Sequence, residues 1–105
     1  MKTLNKKNLK KINETLNEIL VSTHVAEKDY FNVGYKDAVK DEEKLKRYYF
    51  GCWMHRSKKV REIELFKEFG IGLVDEDDVK NLDSYIKEEE DAYQDYKLII
   101  EGTKT

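Results

Sequence analysis

Apolar residues recur every three or four positions along nearly the whole chain, which is the period of one face of an α-helix. In the first third, Leu9, Ile12, Leu16, Ile19, Thr23, Ala26, Tyr30 and Val33 draw one narrow stripe, predicting a helix over about 4–31. The weak stretch is Val21-Ser22-Thr23-His24-Val25, where β-branched residues and Ser lower helix propensity, so a kink or early stop is expected there. Asn32-Val33-Gly34 supplies a natural end, because Asn and Gly tolerate the left-handed conformation that closes helices.

The same period predicts a second helix over about 37–69. Asp41 can cap it, and Glu42 and Glu43 then face the positive end of its dipole. Gly70 stands where a closing residue belongs, and Ile71 is expected to reach back to Phe66, a buried aromatic, in a Schellman closure. Gly51 interrupts this helix at a cost of about 1 kcal/mol against Ala, which makes sense where another backbone comes close. A third helix is predicted over about 76–101. Asp75 caps it, and Val74 with Val79 forms a hydrophobic staple. Val79, Leu82, Ile86, Tyr93, Tyr96 and Ile100 then repeat at heptad spacing, with Glu89 as the one break, and Gly102 ends the run. The short link Gly70–Val74 makes the last two helices antiparallel neighbours. No strand alternation or hairpin dipeptide competes. The expected fold is an all-α antiparallel three-helix bundle forming one domain over 1–105, with 1–7 and 102–105 frayed.

Composition narrows the class. At 105 residues the chain has the length of one domain, and 11% aromatic residues are too many for a disordered tail even though 40% are charged. One Cys excludes an internal disulfide and a Cys-rich zinc site. No apolar run approaches the ~18 residues of a membrane span, and no continuous apolar segment follows the basic start MKTLNKKNLKK. A cytoplasmic, unprocessed product without membrane contact, metal or cofactor is therefore expected. Charge is blocked along the chain. Residues 1–11 carry five lysines and no acid, 44–61 carry seven bases and no acid, and both blocks are followed by acidic stretches. Such blocks can neutralise one another within the fold or steer a partner.

Several constellations bear on chemistry. Cys52 and His55 share a helix face, but no oxyanion turn accompanies them, and a Cys in an apolar stripe behaves as a small hydrophobe. Asp75-Glu76-Asp77-Asp78 fails the EF-hand pattern, since Lys80 and Ile86 occupy the positions that need Gly and Glu. Glu62, Glu64 and Glu68 with Glu89, Glu90 and Asp91 offer raw material for a magnesium-dependent all-α nucleotide pyrophosphatase, without that family's paired-acid spacing. The segment Lys44–Arg61 (KLKRYYFGCWMHRSKKVR) interleaves bases with aromatics, as a nucleic-acid-binding strip would.

The most informative pattern comes from placing the second helix on a wheel at 100° per residue. With Leu45 at zero, Tyr49, Cys52, Val60 and Ile63 fall within about 60°, whereas Phe50, Met54 and Leu65 lie at about 140–200° beside Arg47, Lys58 and Arg61. One helix thus carries two apolar faces, the second rimmed by cations. Either a neighbouring segment covers that second face or it is a docking surface, aromatic, Met and Arg residues being enriched in interfaces. On the third helix, Asp77, Glu88, Asp91 and Asp95 form an acidic ridge that could imitate phosphates or be a solvated face. The expected function is a small non-enzymatic protein-interaction module, in keeping with phage or mobile-element accessory or inhibitor proteins. It would bind another protein, or itself as a homodimer, through Phe50, Met54, Leu65, Arg47, Lys58 and Arg61. Nucleic-acid binding through 44–61 is the alternative, and the pyrophosphatase is third.

Overall fold

A computed structural model of the chain describes residues 3–102. The order of elements is α1 (Lys6–Ala26), a π-helical turn (Glu27–Phe31), α2 (Tyr35–Ala38), α3 (Glu42–Phe69), α4 (Glu76–Lys80) and α5 (Leu82–Ile100). The protein is an all-α helical bundle, as the periodicity predicts, and its three long helices correspond to α1, α3 and α5. Lys6 and Lys7 are helical rather than frayed, because the Asn5 side chain caps α1 by accepting from Asn8 N–H at 2.9 Å. Of the expected frayed ends, residues 1–2 and 103–105 lie outside the described residues.

The boundaries differ from expectation in four places, each with a local cause. The 21–25 stretch neither kinks nor stops α1. The Thr23 hydroxyl donates to Ile19 O at 2.7 Å, and Ser22 is buried against α3 with its hydroxyl on the Met54 sulfur at 3.7 Å. The irregularity falls later, in the π turn. There a Cβ built on Gly51 would stand 2.8 Å from Tyr30 N and 3.0 Å from the Asp29 carbonyl carbon. Gly51 is thus the place where a second backbone crosses α3, and the wider turn carries the chain across it. The second helix begins at Glu42, where Asp41 accepts from Glu43 N–H at 2.9 Å, and 35–38 form a separate turn over a fully buried Ala38. The third predicted helix breaks at Asn81, dividing α4 from α5.

α3 ends as expected at Gly70 (φ 71°, ψ 20°), but by the simpler left-handed closure, in which Gly70 N–H bonds Phe66 O at 2.7 Å. Phe66 itself is only half-buried. The core aromatic is Phe69, packed with Ile12 and Leu65, and Ile71 lies against that cluster.

Both flanking helices run antiparallel to α3. Lys11 pairs with Glu68 and Glu18 with Arg61 on one side, while Lys59 meets Asp78 and Trp53 meets Tyr93 on the other. α1 and α5 are therefore parallel to each other. No pair of Cα atoms links them within 8 Å among the described residues. α1 and α5 thus each pack on α3 without packing on each other. Its second apolar face is divided between the two neighbours: Met54, Leu65 and Phe69 meet α1, whereas Phe50 joins Trp53 against Tyr96 of α5.

Candidate functional site

Phe50 and Met54 are not the exposed summit of a docking face. Both are half-buried, Phe50 against Trp53 (ring centroids 5.8 Å) and Tyr96 (5.3 Å), Met54 under Ser22 of α1. Leu65 is 5% exposed and belongs to the core with Ile12 and Phe69, because α1 lies over that part of α3. The rim cations divide. Arg47 is exposed; Lys58 pairs with Glu62 at 3.6 Å; Arg61 Nε lies 2.8 Å from Glu18 Oε2, an ion contact too poorly aligned to be a hydrogen bond. A surface hypothesis built from one wheel thus fails for Leu65 and turns Arg61 inward, since the wheel gives angles but not neighbours.

Between α1 and α5, which do not pack on each other, lies a groove of about 440 Å³. Its floor is Trp53, Met54 and Ser57 of α3; Asn17, Glu18, Val21 and Ser22 form one wall, and Glu89 stands on the other. Tyr93 packs on the floor Trp53 at 4.7 Å, and Tyr96 stacks on it at 5.7 Å, which extends the aromatic lining along α5. Val21, on the α1 wall, is 61% exposed, an apolar group facing water. The volume lies within the range of small-molecule sites and peptide grooves, roughly 300–1,000 Å³.

One end of the groove is polar. Ser57 is 2% exposed and lines the groove with Glu89, the acid that interrupts the heptad of α5. Burial raises the pKa of the Glu89 carboxyl above its ordinary value, with nearby Glu64 and Glu90 adding to the rise and Arg61 opposing it. Glu18, Arg61, Glu89 and Ser57 thus come from all three long helices to one groove, with Glu18 and Arg61 in ion contact. The sequence marked Glu89 only as a break, and it gave no hint of the groove.

The remaining candidates are placed as follows. The basic-aromatic strip 44–61 is largely turned to internal use. Lys59 bonds Asp78 at 2.9 Å, Lys46 lies near Glu42 and Glu43, and Tyr48 packs on Tyr30 and Tyr35. His55 stacks on Tyr30 (5.7 Å) and meets Phe31 edge-on (5.0 Å); burial lowers its pKa, and Arg56, Lys58 and Lys59 lower it further. It lines a smaller recess of about 230 Å³ with Arg56, Lys59, Tyr85 and Glu88. Cys52 is half-buried, and burial pushes its thiol pKa up, away from the reactive thiolate. In the acidic ridge, Glu88, Asp91 and Asp95 of α5 line one recess with Arg56 of α3, whereas Asp77 stands apart on α4. Among the described residues no three His, Cys, Asp or Glu side chains gather where they could hold a metal ion, and no helix is long and apolar enough to cross a membrane. No protein-family model, curated protein or solved structure matches the chain.

Proposed function

We propose that the chain is a non-enzymatic protein-interaction module that receives the apolar side of a partner helix in the groove between α1 and α5. The groove itself carries this reading: two parallel helices held apart on either side of a third leave a furrow of the kind a further helix fills when a bundle closes. Its lining sets Trp53, Met54 and Val21, residue types found in interface cores, among polar and charged residues such as Ser57, Arg61 and Glu89. The chain exposes 7447 Å², against about 6,200 Å² for an ordinary globular monomer of its mass, so it carries surface to spare for a partner.

The protein's single Trp makes the proposal measurable, because Trp53 is the floor. Amphipathic peptides with apolar residues at i, i+3, i+4 and i+7 should shift Trp53 emission to shorter wavelength, saturably. Val21→Glu, at an exposed lip, should weaken that binding by roughly thirtyfold, the value of a 2 kcal/mol anchor, with the melting temperature unchanged. Emission that no such peptide moves, or equal affinity in the variant, would refute the reading.

A further inference from the structure

The recess beside His55 is separate from the groove, and the two share no lining residue. On the wheel of α3, His55, Arg56 and Lys59 fall within one arc of about 100°, and the groove floor of Trp53, Met54 and Ser57 occupies a different arc. We infer that this recess, completed by Tyr85 and Glu88 of α5, is a binding site for a phosphate group, carried by the free ion or by a small monoester.

Three basic side chains and one acid line the recess, and the bases keep donors to spare. The His55 ring packs on Tyr30 and Phe31 of the π turn without a hydrogen bond. Arg56 makes neither a hydrogen bond nor an ion pair among the described residues. Lys59 gives one bond to Asp78 at 2.9 Å, and an ammonium has three N–H groups, so two remain. Asp78 also accepts from the Tyr85 hydroxyl at 2.9 Å, which braces the ammonium 5.5 Å over the Tyr85 ring. Cations predominate around the imidazole: burial is the first cause of its lowered pKa, but Arg56, Lys58 and Lys59 each add to the shift, with Glu62 opposing. An Arg fork, a Lys point charge and an imidazole N–H together call for three acceptor oxygens. A tetrahedral phosphate offers three, whereas a carboxylate has only two. At about 230 Å³ the recess is smaller than a drug-sized site of roughly 300–1,000 Å³, as suits a single charged group. Glu88 is the one lining group that opposes an anion.

Proton NMR on the intact chain tests this, because its only histidines are His24 and His55. At about pH 7 and constant ionic strength, exchanging chloride for inorganic phosphate should move the His55 resonance saturably towards its imidazolium position, since a bound dianion favours the charged ring. His24, outside the recess, should stay in place. Phenyl phosphate separates the two sources: binding at least as tight as inorganic phosphate identifies an ester, much weaker binding identifies the free ion, and both support the site. Arg56→Gln should weaken phosphate binding roughly tenfold with helical content unchanged, and Glu88→Gln should tighten it. Acetate that moves His55 as far as phosphate does would overturn the phosphate assignment. A His55 resonance that phosphate leaves unmoved, equal movement of His24 and His55, or affinity unaltered by Arg56→Gln would overturn the site itself.

Discussion

Gly51→Ala is the sharpest test of the fold, because two well-known effects oppose each other there and the geometry decides the sign. In an uncrowded helix interior the change removes backbone freedom from the unfolded chain and stabilises by about 1 kcal/mol. In α3 the added methyl would stand 2.8 Å from Tyr30 N, 3.0 Å from the Asp29 carbonyl carbon and 3.0 Å from Tyr30 Cβ. These are backbone or backbone-adjacent atoms, so no rotamer change relieves the contact. Relief requires the π turn to move as a unit, and that turn is pinned by Tyr30 packing on Tyr48 and His55. Overpacking of this kind costs about 1–3 kcal/mol. The gain offsets only part of that, leaving a net loss of up to about 2 kcal/mol. At about 4–8 °C per kcal/mol for a domain of this size, the melting temperature should fall by several degrees. Thermal and urea melts followed by helical circular dichroism would measure it. A melting temperature that rises by about 4–8 °C, as the same change gives in a free helix, would mean that no backbone crosses α3 at Gly51.

Three further outcomes are expected. Phe69→Ala should cost about 3–5 kcal/mol in urea unfolding and Phe66→Ala clearly less, since Phe69 joins Ile12 and Leu65 in the core and Phe66 is half-buried; equal losses would contradict that placement. His55 has a lowered pKa in the fold, so the unfolded chain takes up that proton first. Its contribution to stability is therefore present above about pH 6.5 and is lost as pH falls, and melts from pH 7.5 to 5 should show a slope that His55→Gln reduces. Glu89 has the opposite linkage: its raised folded pKa favours the protonated form, so its stabilising contribution holds at low pH and disappears as pH rises. Glu89→Gln, which keeps a hydrogen-bonding group for Ser57, should melt higher than the parent at pH 7, and the difference should close towards pH 4.

How much of this the sequence shows depends on whether a feature is local. The caps at Asp41 and Gly70 are local, and they stand where their residue types point, because a carboxylate accepting an N–H or a glycine at positive φ needs only its neighbours in the chain. Gly51 is legible as an anomaly, a helix-weakening residue in a long helix, although what crosses it is not. The π turn is not legible at all, since Glu27–Phe31 is ordinary helical sequence and widens only where the chain must pass α3. The break at Asn81 is likewise missed: Asp75 to Ile100 keeps its heptad through it, and periodicity persists across a turn. The groove depends on the distance between α1 and α5, a quantity that no single-helix pattern contains.

The two apolar faces of α3 carry the larger consequence. A helix at the corner of a closed three-helix bundle needs one broad stripe, because both neighbours approach from adjacent directions and also touch each other. Here α1 and α5 both pack on α3, and among the described residues no pair of their Cα atoms comes within 8 Å. Each side is then a separate two-helix contact: Ile12, Leu65 and Phe69 make one, and the aromatic stack of Phe50, Trp53, Tyr93 and Tyr96 is central to the other. Between the two contacts, Arg61 of α3 pairs with Glu18 of α1, and Glu89 of α5 lines the same groove. Because α1 and α5 do not meet, a groove stays between them, with Trp53, half-buried under Tyr93 and Tyr96, on its floor. The unfilled groove is thus a product of how α3 is shared. A sequence selected only for a stable monomer would gain by bringing α1 and α5 together over Trp53, and this one keeps them apart.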